Sequence, residues 1–183
     1  RGAGSTLYGS DAVGGVLHFL TPVPAFSSGG TEVHPGVRLR ASSAAQEATG
    51  RLDLRVATPG AALAGGVSLR SFGDLRAGGG LGVESPSGYK ETAADIKGLI
   101  RLGRGVLVTA AWQYVRQPEV PAYDQVAQRG YERYAFTPQE RRLGYLRATV
   151  YSSRPLWREV VTTMSWQGSV EGREKRKEGS AWL

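Results

Sequence analysis

Apolar and polar side chains alternate with a period of two from Gly36 onward, in segments of about ten residues separated by turns rich in Gly, Pro and Ser. In Val37-Arg38-Leu39-Arg40 and Leu52-Asp53-Leu54-Arg55-Val56 the apolar residues share one face and the charges share the other, the pattern of a sheet with one wet face. Further strands are predicted near 62–73, 93–103, 105–116, 139–151 and 157–169. In the fifth, Val106, Val108, Ala110, Trp112 and Tyr114 form one face; in the seventh, Val160, Thr162, Met164 and Trp166 do. The sixth offers two choices. Leu143 and Tyr145 share parity with Arg141 and Arg147, whereas Gly144, Leu146, Ala148 and Val150 make the smoother apolar face.

Segment and connector lengths sharpen this picture. About ten residues is the length of a tilted membrane-spanning strand. Short connections at 59–60, 103–105 and 152–155 alternate with long polar ones at 74–92 and 117–137, and the first strand pair is joined through about Ala44 to Ala48. Outer-membrane barrels alternate short periplasmic turns with long extracellular loops. A soluble sandwich has no reason to keep every second loop long. The expected fold is therefore all-β: an antiparallel transmembrane β-barrel fragment, an open sheet of about seven strands. Gly144, Leu146, Ala148 and Val150 are assigned to lipid, while Arg38, Arg40, Arg51, Arg55 and Arg101, with Asp53, Asp95 and Lys97, face the lumen.

The N-terminal stretch, RGAGSTLYGSDAVGGVLHFLT, reads as a tight glycine turn feeding a short apolar strand of Val16, Leu17, Phe19 and Leu20. A phosphate-cradling loop would need the lysine of G-x-x-x-x-G-K-[ST], which is missing. The following TPVPAFSSGGTEVHPG has no periodicity and reads as a linker. The N-terminal stretch resembles the end of the plug domain of TonB-dependent outer-membrane receptors, with Arg1, Gly2, Ser5, Leu7, Tyr8, Gly9, Ala12, Gly14, Gly15, Val16, Leu17 and Phe19 at matching places. The resemblance implies the division 1–21 plug end, 22–35 linker and 36–183 first part of a barrel that has 22 strands in this family. Opening inside the motif without Met and stopping at Ala181-Trp182-Leu183, the chain reads as a fragment. The resemblance also makes Arg1 the plug residue that locks onto barrel glutamates, and Leu7, Tyr8, Gly9, Gly14 and Gly15 the plug turn.

A second resemblance covers about thirty residues. Val120, Pro121, Tyr123 and Asp124, followed by Phe136, Pro138 and Gln139, look like a loop region of heme and hemoglobin-type receptors. Cargo of iron-siderophore or heme type is implied, with Tyr123, Arg129, Tyr131, Arg133 and Tyr134 as loop candidates for stacking on it or pairing with its carboxylates. Partners implied are outer-membrane lipid, small-molecule or protein-bound iron cargo, and the TonB complex acting through a plug segment absent from these 183 residues.

Chemistry of other kinds finds little support. With no cysteine there is no disulfide, thiolate metal site or thiol nucleophile. His18 and His34 lack metal-ligand spacing, and Asp11, Asp53, Asp74, Asp95 and Asp124 occur singly, so no enzyme, intrinsic cofactor or metal is expected. The net charge of +7 is spread along alternating segments, which does not favour nucleic acid; Arg173 to Lys177, REKRK, reads as a solvated loop. Two rival readings are a passive porin-like barrel and a soluble basic β-sandwich.

Overall fold

The computed structural model describes residues 21–80, 82–153, 156–177 and 179. The plug-turn residues Leu7, Tyr8, Gly9, Gly14 and Gly15, together with Arg1, lie outside them.

Alternating sequence becomes one antiparallel meander. Strands β1 (Glu32–Ser42), β2 (Glu47–Ala57), β3 (Ala61–Phe72), β6 (Tyr89–Leu102), β7 (Val106–Gln117), β9 (Tyr131–Tyr151) and β10 (Glu159–Lys177) lie side by side in chain order. Two short strands, β4 (Leu75–Arg76) and β5 (Val83–Glu84), form a separate hairpin, and β8 (Val120–Pro121) pairs with β9 just before the short helix α1 (Tyr123–Arg129). The sheet is open, with β1 and β10 at its edges. The expectation of an all-β antiparallel sheet is met.

Register decides the faces. Following partners across the sheet, Val33, Val56, Leu63, Gly98, Ala110, Leu146 and Met164 form one row, and Pro35, Leu54, Gly65, Ile96, Trp112, Gly144 and Trp166 form the next. The rows on the other side, through Leu102 and Ile100, are equally free of charge. The sixth strand's ambiguity thus resolves toward Gly144, Leu146, Ala148 and Val150, which share the face of the β7 valines. On the opposite face Arg38, Asp53, Arg51, Arg55, Asp95, Lys97 and Arg101 all fall together.

Burial is inverted relative to a water-soluble sheet. Leu39 is 82% exposed, Met164 72% and Val37 66%, all on the apolar face. The sheet residues that are buried below the ribbon described next, namely Ala57, Ala62, Ser68, Lys97, Leu99, Ala111 and Thr149, all belong to the polar face. Water would drive the reverse arrangement.

The structure corrects several expected boundaries. β1 begins at Glu32, so His34 lies on a strand opposite Arg55. β9 begins at Tyr131 and β10 runs to Lys177, so Tyr131, Arg133 and Tyr134 sit on a strand and not in a loop. REKRK is likewise paired strand, with Arg173 opposite Phe136 and Lys175 opposite Tyr134. The cause is an extended ribbon held by cross-strand ion pairs, Arg133 with Glu174 and Arg176 with Glu132, something composition alone does not reveal.

Candidate functional site

The polar face is built from side chains that cross strands. Asp53 projects between Gly36 on β1 and Gly66 on β3, both its register partners. A Cβ at Gly36 would come within 2.0 Å of the Asp53 carboxylate, and one at Gly66 within 2.7 Å of the Arg51 guanidinium. Those two glycines are the reason the charged groups lie flat across the sheet. Arg38 donates to Asp53, Arg51 approaches Asp53 at 3.5 Å, and Arg51 donates to both Asp95 oxygens at 2.7 and 3.1 Å and to the Ser68 hydroxyl at 3.2 Å. The result is two arginines and two aspartates in one mutually compensated network. Nearer the long connections, Arg70 pairs with Glu91 at 2.6 Å and Gln117 donates to Glu91 at 2.7 Å.

The connector docks on this face. Lys97, only 8% exposed, donates from Nζ to the carbonyls of Thr21 at 3.1 Å and Pro22 at 3.2 Å and to the Thr21 hydroxyl. Further along, the Arg101 guanidinium lies 4.4 Å from the Phe26 ring centroid, and the Ser27 amide donates to the Thr58 carbonyl at 3.2 Å. Residues 21–27 therefore form a strap from Lys97 and Arg101 on β6 to Thr58 in the β2–β3 turn, held by oxygen acceptors around a buried ammonium. Sequence reading named Lys97 as lumen-lining; its role as the strap's anchor carried no sequence signal.

Above the sheet, on the side of the long connections, a β-bulge re-aims side chains. Register shifts between Glu171 and Arg173, where two residues of β9, Thr137 and Pro138, stand against one of β10, Gly172. Gly172 sits opposite the extra residue, and a Cβ there would lie 2.1 Å from the Thr137 carbonyl oxygen. Past the bulge Phe136 and Tyr134 join the polar-face side. There Arg173 lies 5.5 Å from the Phe136 centroid and Lys177 4.9 Å from that of Tyr131. Tyr131, Tyr134 and Phe136 pack edge to face, at 5.3 and 5.9 Å.

Of the loop candidates, the structure brings the Tyr131 and Tyr134 rings into contact. Arg133 is held by Glu119 at 2.8 Å and Glu174 at 3.3 Å. Tyr123 and Arg129 are the first and last residues of α1, which Gly130 ends in the left-handed conformation at φ 69°. The 73–88 connection is also ordered: Asp74 Oδ1 accepts from the Ser87 and Gly88 amides at 2.7 Å each. With the Ser85 hydroxyl these donors hold the Asp74 carboxyl below the usual carboxylate range. Among the described residues no group of three or more His, Asp or Glu is placed to hold a metal ion. No family model, curated protein or solved structure matches this chain.

Proposed function

We propose that this chain is wall and plug-closing segment of a TonB-dependent outer-membrane receptor, which binds an iron-siderophore or heme-type cargo from outside and imports it with energy supplied through TonB. It is not an enzyme in this reading, and it holds no cofactor of its own. The observation that carries the reading is the coherent, exposed apolar face. On β1–β3 this face carries no charge from Ala61 to Leu69 and their register partners, and on β6–β9 none from the Leu102 row to the Ile96 row, the next row meeting Arg142. The first stretch spans about 27 Å along a strand, or about 21 Å along the membrane normal at a tilt of about 40°, and the second about 20 Å along a strand. Barrels of this kind carry an apolar band about 25 Å tall. Trp112 and Trp166 share one row, and Tyr114 stacks beside Trp112 at 6.0 Å in the next, as in an interfacial aromatic belt.

The polar face then becomes the lumen wall and the 21–27 strap the exit of the plug. The open edges of β1 and β10 call for further strands of the same wall. A passive pore has no need of a strap on its inner wall. A soluble sandwich would cover the apolar face with a second sheet, and no described element does so.

Single-cysteine labelling of the parent protein on intact cells tests the topology. An impermeant reagent should modify residue 128, in α1, and spare residue 104, in the short β6–β7 turn. The opposite pattern reverses the orientation, and equal labelling of both in cells with intact membranes removes the spanning reading.

A further inference from the structure

On the apolar face the charge-free rows end abruptly in the sector of β6, β7 and β9. Arg142 appears beside Tyr114, Arg116 and Glu140 pair one row higher, and Lys90 follows one row beyond that, all at the end of the long connections. Glu140 is shared: Arg116 Nε lies 3.3 Å from one oxygen and Arg142 Nη2 3.1 Å from the other. The carboxylate is 13% exposed, whereas each guanidinium remains 53% exposed. Arg142 also lies 5.7 Å from the Tyr114 ring centroid. Lys90 is exposed. Two guanidinium groups thus share one carboxylate at the edge of the charge-free rows, with the exposed Lys90 one row beyond on the same face.

We propose that this cluster binds the phosphomonoester headgroup of a lipid whose chains lie along the apolar rows below it, the first of which holds Trp112 and Trp166. The inference rests on the reading that the apolar face meets a bilayer. Its chemistry is specific to the rim. A guanidinium that has given one N–H to Glu140 keeps outward donors for a second oxyanion, and the planar fork suits phosphate oxygens. Cations over hydrocarbon gain from an anionic surface that neutral headgroups lack. The neighbouring β1–β3 sector stays apolar up to Leu39, Gly50 and Leu69 at the same height, so the site is confined to one side of the wall.

Tryptophan quenching by chain-brominated lipids tests it on the full chain reconstituted in vesicles. Brominated phosphatidic acid competing with unlabelled phosphatidylcholine, and the reverse, gives the relative affinity. The wild type should prefer phosphatidic acid by about fivefold for each guanidinium engaged, the equivalent of about 1 kcal/mol. Arg116→Gln with Arg142→Gln should abolish the preference. Glu140→Gln, which frees both forks, should raise it, and Arg38→Gln on the polar face should leave it unchanged. No preference in the wild type, retention in the double variant, or equal loss in Arg38→Gln overturns the site. Absence of quenching by brominated phosphatidylcholine itself overturns the bilayer reading instead.

Discussion

Arg51 on β2 reaches over β3 to grip both carboxylate oxygens of Asp95 on β6, at 2.7 and 3.1 Å, because Gly66 on the intervening strand has no side chain to block it. A Cβ at Gly66 would stand 2.5 Å from the Leu52 carbonyl and 2.7 Å from the guanidinium. Gly66→Ala should therefore destabilise the sheet by about 1–3 kcal/mol, the range for overpacking. The Arg51–Asp95 coupling itself, measured by a double-mutant cycle, should be about 1 kcal/mol, since Asp95 is 42% exposed and solvent screens the pair. A coupling near zero would mean that the pair is not formed in solution.

Val108 lies in the charge-free part of the apolar face and Gln113 on the polar face of the same strand. Val108→Arg should cost about 2–4 kcal/mol in a liposome unfolding assay if it sits near the bilayer midplane. Gln113→Arg should cost much less. Equal costs would contradict the assignment of faces.

Gly172→Ala places a methyl group against the Thr137 carbonyl at the bulge. The upper ribbon should lose its register while the lower sheet persists. Hydrogen exchange distinguishes the outcomes: amides of 131–136 and 173–177 should speed up, with those of 141–150 unaffected.

The Asp74 cradle gives the 73–88 connection an acid sensitivity. Because donors from Ser85, Ser87 and Gly88 lower the folded pKa below the ordinary 3.8, ionised Asp74 stabilises the folded loop. That contribution is complete above the ordinary value and is lost as pH falls through the depressed one. Amide protection at Ser87 and Gly88 should fall over that acidic window in the wild type, and should be weak at every pH in Asp74→Ala.

Local pattern alone located the cores of the seven long strands and the composition of their faces, though not their full extents, because a period of two is a local property of the pleated backbone. Alternation in 36–56 and 105–116 named the apolar and charged sets that the structure keeps apart. For β9 local pattern allowed both parities, and only pairing with β7 and β10 selected one. Tertiary structure also decided the contacts between distant residues. Arg51 and Asp95 are 44 positions apart, and Lys97 meets Thr21 across 76. Neither leaves a periodic trace. The bulge is the clearest case: one extra residue on β9 turns Tyr134 and Phe136 toward the polar side and makes a ribbon of what reads as a loop. A side chain's face depends on every register step between it and the edge of the sheet, and a single inserted residue, fixed by Gly172 on another strand, reverses it.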